Sequence, residues 1–171
     1  YDAGLGAVAK KAGVSRQAIY LHFPSKAELL TALHLHIFAT DVVPAVERHP
    51  ITDAVSALDA LDAMIAVDVD VVSKVWQIHE ALQMARRQHP EVEATLRPRE
   101  EERYRELLDL GRRLKREGAL PPNIRAGMFA DMLWGLMSVG TYRSLVIERG
   151  WSLDQYRRWV RHTIRLQISA A

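Results

Sequence analysis

A few polar residues have a spacing that could support metal binding. His79 and Gln83 lie four residues apart, the separation at which two histidines on one helix can share a zinc ion. Because glutamine takes the second position, a second ligand is missing and we predict no metal site. His34 and His36 are two residues apart, so on a helix they point in different directions and cannot bind one ion together. We therefore expect each of these histidines to be hydrogen-bonded or solvated.

The carboxylates Glu100, Glu101 and Glu102 are a poor catalytic group, because adjacent residues of a helix do not converge. We interpret the run as the solvated face of a long helix that begins at Pro98. The sequence contains no glycine-rich phosphate loop, no Gly-x-Ser-x-Gly motif and no cysteine. We therefore expect no enzymatic activity, no cofactor and no metal.

The most informative pattern begins near Val8 and has the form of a short helix, a glycine and a second helix. Val8, Ala9 and Ala12 give the first helix a small apolar face. Gly13 stands where a left-handed residue would end that helix, a conformation that glycine adopts at little cost. Val14 is then predicted to fill the corner between the two helices.

The second helix carries polar residues in its first turn, directly after a residue that can cap it. Ser15 is that cap, and Ile19 and Phe23 lie four residues apart and face inward. A helix-turn-helix of this kind inserts its second helix into the major groove of DNA. Arg16 can bridge guanine O6 and N7, and Gln17 can pair with adenine. The next helix starts with a predicted capping box formed by Ser25 and Glu28.

The pattern Ala-Gly-Val-Ser-x-x-x-Ile-Tyr-x-His-Phe-x-Ser-Lys-x-x-Leu-Leu, which starts at Ala12, resembles the signature of TetR-family transcriptional regulators. The resemblance implies a homodimeric, all-helical repressor that binds a palindromic operator in double-stranded DNA. It also implies that a small-molecule effector in the larger domain releases the DNA. The family pattern has a further helix ahead of this motif and a Ser or Thr where Gly4 stands. Asp2 is a partial substitute for that cap.

The resemblance also implies a role for individual side chains. The residues implied to face bases are Arg16, Gln17, Ala18 and Leu21, and those implied to hold the phosphate backbone are Ser15, Tyr20, His22 and Lys26. Two alternatives from other classes remain open. The first is a helical small-molecule-binding protein or enzyme without a DNA function. The second is an interaction module that forms complexes with other proteins.

Charge and composition agree with a DNA-binding globular protein. The whole formal net charge of +2 lies in residues 1–40, and the rest of the 171-residue chain is neutral. A basic segment on a neutral body is expected where a protein meets a polyanion. Apolar residues make up 49% and charged residues 26%, which is ordinary for a globular chain. No run reaches the roughly 20 apolar residues of a membrane span, and we expect a cytoplasmic location without membrane contact.

The breakers and caps predict two short helices, a long connector and about five further helices. We divide the chain into a helix-turn-helix domain with its connector, residues 1–44, and a ligand-binding and dimerisation domain, residues 45–171. Pro44 is expected to kink or end the connector, and Pro50 to close that region. The alternating residues 67–71 are interpreted as the end of one helix and the start of another.

Helix ends in the second half follow the same signals. Gly118 is predicted to stop a helix and Asn123 to cap the next one. Ser152 and Gln155 form a second predicted capping box.

Aromatic, histidine and methionine residues of the larger domain are candidates for lining an apolar ligand cavity. These candidates are Trp76, His79, Met84, Tyr104, Phe129, Trp134, Met137 and Tyr142. Each can instead be ordinary core material.

The two final helices carry a predicted dimer interface. Residues 124–147 are apolar on nearly every side, and residues 153–168 present an apolar stripe through Tyr156, Val160 and Ile164. Two such helices from each subunit would form a two-fold four-helix bundle.

Overall fold

The computed structural model describes residues 4–44 and 54–168, and in that part of the chain the regular structure is helical without strands. The helices are α1 (Leu5–Ala12), α2 (Arg16–His22), α3 (Lys26–Ile37), α4 (Ala57–Ala85), α5 (Pro90–Arg116), α6 (Ala126–Leu136), α7 (Val139–Tyr142) and α8 (Leu153–Ile168). π-Helical turns continue α3 through Phe38–Val42 and α7 through Arg143–Glu148. The predicted all-α order, with two short helices, a connector and five more, is confirmed.

The main core lies where α4, α5, α6 and α8 meet. Its largest fully buried side chains include Leu61 of α4, Leu107 of α5, Phe129 of α6 and Tyr156 of α8. The Tyr156 hydroxyl donates a 2.7 Å hydrogen bond to the carbonyl of Leu136, so its polar end is satisfied inside the core. These contacts join the helices of the larger region into one packed unit.

A second, smaller cluster attaches the connector to this unit. Ala27 of α3 is buried against Leu82 and Ala85 of α4 and against Val92 and Leu96 of α5. Helix α3 is therefore anchored to α4 and α5 near its first turn.

Helix α4 is one continuous helix of 29 residues, so the predicted break within residues 67–71 is wrong. The alternation arises because α4 is covered on more than one side. Val69 is fully buried in the core, whereas Asp68 and Asp70 form ion pairs with Arg103 and Arg157. The acidic residues therefore face arginines of neighbouring helices and not solvent alone.

The predicted helix ends are partly correct. Ser25 and Ser152 cap their helices as predicted, with backbone N–H groups of Glu28 and Gln155 donating to their hydroxyls at 3.1 Å. Gly118 follows the end of α5 with φ +72°.

Two other predicted ends are wrong. Helix α5 begins at Pro90, so Pro98 lies inside it. Asn123 caps nothing, because α6 starts after Arg125 without a side-chain cap. The connector runs through its π-helical turn as far as Pro44. The predictions for Asp2 and Pro50 lie outside the described residues.

The apolar stripe of α8 packs inside its own chain, which corrects the prediction that it meets a partner subunit. Tyr156, Val160 and Ile164 are each fully buried in the main core. The stripe is occupied because α8 lies across α4, where Arg161 and Arg165 both pair with Asp62. A contact of α8 with a second subunit would therefore have to use another face of this helix.

Glu117 connects the end of α5 to the start of α4. Its Oε2 accepts a 2.7 Å hydrogen bond from the Ala57 backbone N–H, and its Oε1 accepts a 2.9 Å bond from Arg113 Nε. Arg113 also donates to the Ala54 carbonyl at 2.6 Å. One carboxylate thus satisfies a free backbone donor of α4 and interacts favourably with the positive end of that helix.

Glu117→Gln is expected to destabilise the fold at pH 7 but not in acid. The Ala57 N–H, followed by Arg113, lowers the pKa of Glu117 below its ordinary value of 4.5. A carboxyl whose pKa is lowered by folding adds stability above its ordinary pKa, and this contribution is lost as the pH falls through the lowered value. Urea unfolding of both proteins at pH 7 and in acid measures the difference. A difference that persisted in acid would contradict this role.

Candidate nucleic-acid interface and cavity

The first two helices are joined by a tight turn built on a left-handed glycine. Gly13 has φ +70° and ψ +22°, and its N–H donates to carbonyls of the last turn of α1. Ser15 then caps α2, since its hydroxyl accepts a 3.0 Å hydrogen bond from the Ala18 N–H. Gly4 precedes α1 without a side-chain cap. The turn and the cap of α2 are therefore as predicted from the sequence.

A small apolar cluster holds the two helices together. Leu5, Ala9 and Ile19 are buried, and Phe23 packs against them. Val14 is 47% exposed, so the prediction that it fills the corner between the helices is wrong.

The first turn of α2 presents polar side chains to solvent. Arg16 and Gln17 are exposed, and Tyr20 follows them one turn later at 41% exposure. The Arg16 guanidinium lies 5.6 Å from the centre of the Tyr20 ring. A Cβ atom added at Gly6 of α1 would lie 3.7 Å from Arg16 Nε. Arg16 is thus supported by α1 and by Tyr20, and Gly6 is a contributor that sequence reasoning missed.

The other predicted DNA contacts differ in their exposure. Leu21 is 79% exposed, and His22 and Ser15 are also exposed. Ala18 and Lys26 are half-buried. An exposed leucine of this size on a two-turn helix has no role in the core of the chain, which agrees with a position that is covered when a partner binds.

A cavity of about 1050 Å³ lies in the larger region, between the end of α3 and helices α4, α5, α6 and α7. Its apolar walls come from Val42, Val67, Val71, Val72, Val75, Leu96, Trp134, Met137 and Val139. Both π-helical turns border it, through Phe38 and Arg143. The cavity has the size of a small-molecule site, and charged or polar residues make up more than half of those that line it.

The structure brings some of the predicted ligand residues to this cavity and leaves others elsewhere. His79, Trp134 and Met137 line it. Tyr104 lies beside Trp134 but borders a separate, shallow cleft of about 440 Å³. Its hydroxyl donates to Asp131 at 2.8 Å.

The remaining four candidates do not line the cavity. Phe129 and Tyr142 are buried in the main core, and Trp76 packs beside Tyr142 at a ring distance of 6.5 Å. Met84 is 57% exposed on the surface of α4. Helical spacing does not distinguish a side chain that faces a cavity from one that faces the core, because both are apolar positions of the same helix.

A polar network closes one end of the cavity. Arg86 donates to both oxygens of Glu100, at 3.0 and 3.2 Å, and to Glu93 at 2.6 Å. Gln83 Oε1 accepts from Arg86 at 2.7 Å, and Gln83 Nε2 lies 3.1 Å from His79 Nε2. Because the amide nitrogen of Gln83 is a donor, His79 Nε2 is the acceptor and its proton is on Nδ1. Glu100, predicted to be solvated, is a partly buried member of this network.

Two histidines meet at the cavity wall, one from α3 and one from α4. The rings of His34 and His79 are 6.4 Å apart. Burial is the main cause that lowers the pKa of each, so both imidazoles are neutral at pH 7. Within the described residues, Nδ1 of His34 is buried and has no hydrogen-bond partner, contrary to the expectation of a hydrogen-bonded or solvated histidine.

Arg103 and Glu106 of α5 add charge to another part of the cavity. Arg103 pairs with Asp68 at 3.1 Å and lies 5.4 Å from the centre of the Trp134 ring. Burial, followed by the charges of Asp68 and Glu102, raises the pKa of Glu106. Sequence reasoning missed these residues because their partners lie on other helices. The local signal was the alternation of valine and aspartate over residues 67–71 of α4, where Asp68 is the partner of Arg103.

Over residues 4–44 and 54–168, none of the helices combines the length and the apolar character that crossing a bilayer requires.

Comparisons with known proteins agree with this geometry. Residues 1–33 match the family model described as bacterial regulatory proteins, tetR family. None of the curated proteins compared with the chain matches it.

Two solved structures share the fold at low sequence identity. A TetR-family transcriptional regulator from Rhodococcus sp. is 18% identical, with a TM-score of 0.73 over 98% of this chain and 88% of that one. The fatty acid degradation regulator FadR from Bacillus halodurans is 17% identical, with a TM-score of 0.70 over 96% of this chain and 84% of that one.

Proposed function

We propose that this chain is a TetR-family transcriptional regulator that binds a palindromic operator as a homodimer, represses transcription there and is released by a small-molecule effector. In this proposal it is a DNA-binding regulator and not an enzyme. One observation carries the finer proposal: α3 takes part in both regions. Lys26 is at its first turn beside α2, whereas His34 and Phe38 line the cavity. A molecule in the cavity therefore contacts the helix that supports the recognition helix.

In this proposal α2 is the recognition helix. Arg16 and Gln17 read bases from its first turn, and Ala18 and Leu21 approach bases along the same groove. Ser15, Tyr20, His22 and Lys26 hold phosphates and set the register of the helix. The exposure of Arg16, Gln17 and Leu21 supports these roles. Residues 1–44 are then the DNA-binding domain and its connector, and residues 45–171 the effector and dimerisation domain.

The proposed dimer uses the outer surfaces of the last helices. Met128 of α6, Ile147 after α7 and Leu166 of α8 are exposed by 53%, 46% and 56%. Cβ atoms at Gly127 and Gly135 would meet no atom of another described helix within 4 Å. Exposed apolar side chains beside such open glycines favour contact with a second subunit. Since the target is bacterial operator DNA, we propose a cytoplasmic location.

Release by the effector follows from linkage between two conformations. A dimer must hold its recognition helices roughly 34–36 Å apart to reach successive major grooves. An effector that binds a conformation with another separation lowers the affinity for DNA, and DNA lowers the affinity for the effector by the same factor. The connector transmits the change because Ala27 is packed against α4 and α5.

Selection from a pool of random duplexes tests operator recognition. The expected product is an inverted repeat whose half-sites are centred about 10 base pairs apart, or a multiple of that spacing. Sedimentation of the complex should show two chains on each duplex, and a promoter that carries the selected sequence should be repressed in a reporter assay. Recovery of a single half-site bound by one chain would contradict the dimer. Recovery of no sequence would contradict operator binding.

Lys26→Ala is expected to weaken binding to all duplexes alike. Loss of one phosphate contact should make the slope of log K against log salt concentration less negative by about 1. Fluorescence anisotropy at several salt concentrations, with the selected operator and a scrambled duplex, measures both slopes. If affinity fell for the operator alone, Lys26 would have a base-reading role and not the proposed phosphate contact.

A further inference from the structure

We propose that Tyr20 and Gly6 are positioning residues for Arg16, so that the base chosen at the Arg16 contact depends on residues of two helices. The ring of Tyr20 holds the guanidinium, and the missing side chain at Gly6 leaves the space in which Arg16 lies. The inference rests on the proposed recognition of DNA by α2. It gives Tyr20 a role in base choice besides its proposed contact to phosphate.

The contact between Arg16 and Tyr20 follows from helical spacing. The two residues are four positions apart on α2, so their side chains lie on the same face of the helix. Cζ of Arg16 lies 5.6 Å from the centre of the Tyr20 ring. A ring attracts a cation within about 6 Å of its centre. The ring therefore favours one direction for an arginine side chain that would otherwise be free at an exposed position.

Helix α1 contacts the same side chain at Gly6. A Cβ atom added there would lie 3.7 Å from Nε and 3.8 Å from Cδ of Arg16. Arg16 is the residue of another helix that is found within 4 Å of that position. A single Cβ atom at these distances would only touch Arg16. A longer side chain at Gly6 would compete with Arg16 for the same space.

These contacts hold Arg16 without using its hydrogen-bonding groups. In the part of the chain that the structure describes, neither an ion pair nor a hydrogen bond engages the Arg16 guanidinium. A ring attracts the charge of a cation and leaves its N–H groups free. All five N–H donors of arginine are thus available for a bidentate contact to guanine O6 and N7. A side chain that is ordered before DNA binds loses less conformational freedom on binding.

Gln17 and Leu21 provide an internal reference on the same helix. They are also four positions apart, but they follow Arg16 and Tyr20 by one residue and so face about 100° away. Both are exposed. A base read by Gln17 should therefore be independent of the Tyr20 ring and of Gly6. A general disturbance of α2 would instead affect the readings of Gln17 and Arg16 together.

The test measures base discrimination of the full chain by fluorescence anisotropy, with the selected operator and every single-base variant of one half-site. Arg16→Ala and Gln17→Ala first identify the base pair that each residue reads. Tyr20→Leu is then expected to lower discrimination about 2- to 5-fold at the Arg16 base pair and to leave it unchanged at the Gln17 base pair. Retained discrimination at the Arg16 base pair, or an equal loss at both base pairs, would overturn the role of Tyr20.

Tyr20→Phe separates the ring from the hydroxyl. It keeps the ring, so discrimination at the Arg16 base pair should remain as in wild type. Loss of the proposed phosphate contact should weaken the operator and a scrambled duplex by the same factor. If Tyr20→Phe lost as much discrimination as Tyr20→Leu, the hydroxyl and not the ring would be responsible, and the proposal would be overturned.

Gly6→Met is expected to lower discrimination at the Arg16 base pair, because the new side chain competes with Arg16 for space. Ala7→Met is the matched control, since Ala7 is the next residue of α1, is exposed and faces another direction. Methionine is a good helix former, so α1 should keep its structure in both variants. Equal discrimination in Gly6→Met and Ala7→Met would overturn the role of Gly6.

Double variants show whether the effects act through Arg16. In the Arg16→Ala background, neither Tyr20→Leu nor Gly6→Met should lower discrimination at that base pair any further. A further loss would mean that Tyr20 or the α1 surface reads the base directly, which would overturn the positioning role.

The two levels of the proposal fail differently. If Arg16→Ala relaxes base choice but Tyr20→Leu and Gly6→Met do not, only this inference fails. If no operator is selected, or if Arg16→Ala leaves operator affinity unchanged, the proposed recognition by α2 fails together with the inference.

Discussion

Arg16→Ala is expected to weaken binding to the selected operator about 5- to 150-fold and to reduce discrimination between bases. The range corresponds to the roughly 1–3 kcal/mol of one bidentate arginine contact to guanine. Arg16 is exposed in the first turn of α2 and is supported by the Tyr20 ring and by the surface of α1 at Gly6. Since alanine is a good helix former, α2 should keep its structure.

Anisotropy titrations with the operator and with single-base variants measure this effect. A base-reading residue, when removed, lowers the affinity for the operator more than that for a scrambled duplex. Arg112→Ala is the matched control, because Arg112 is an exposed arginine of α5. It lies about 24 Å along that helix from Leu96, which packs in the cluster that holds α3. The control should bind the operator like wild type. Unchanged operator affinity in Arg16→Ala would show that α2 is not the recognition helix.

Gly111→Ala is expected to destabilise the fold by about 1–3 kcal/mol. A Cβ atom at this position would lie 2.8 Å from the carbonyl oxygen and 3.2 Å from Cα of Ala126. Both atoms belong to the backbone at the start of α6, so they can move only if α6 shifts against α5. For a chain of this size Tm should fall by about 2–4 °C for each kcal/mol.

Gly127→Ala is the matched control in the neighbouring helix. A Cβ atom there would meet no atom of another described helix within 4 Å. Alanine should leave stability unchanged or raise it by up to about 1 kcal/mol, because glycine is the poorer helix former. Thermal unfolding is followed at a protein concentration at which sedimentation shows monomers. If both variants unfolded at the wild-type temperature, α5 and α6 would not make the close contact described here.

The helix-turn-helix could be predicted almost completely, because its signals are local. Gly13 adopts the left-handed conformation, Ser15 accepts from Ala18, and Ile19 is buried, each as the spacing indicated. Such features depend on residues within one or two helical turns. Val14 is the exception: it is 47% exposed, because whether a side chain at the turn is covered depends on how the two helices pack.

The cavity could be predicted only in part, because its walls come from residues far apart in the chain. The sequence singled out His79, but it gave no reason to pair it with His34 or to link Gln83 with Arg86. Val67 and Val71 looked like part of a helix break, whereas they line the cavity from the middle of a continuous α4. Gly111 gave no signal, because its partner backbone is fifteen residues further along and on another helix.

The amino-acid order by itself determined the all-helical class, the turn that presents Arg16 and Gln17, and the cap that starts the connector. Backbone hydrogen bonding and apolar periodicity decide those features over a few residues. The packing of whole helices settled which apolar faces meet each other, which of them leave a cavity, and that His34 and His79 both line it. Those outcomes depend on how whole helices pack, and side chains of the same type satisfy several such packings equally well.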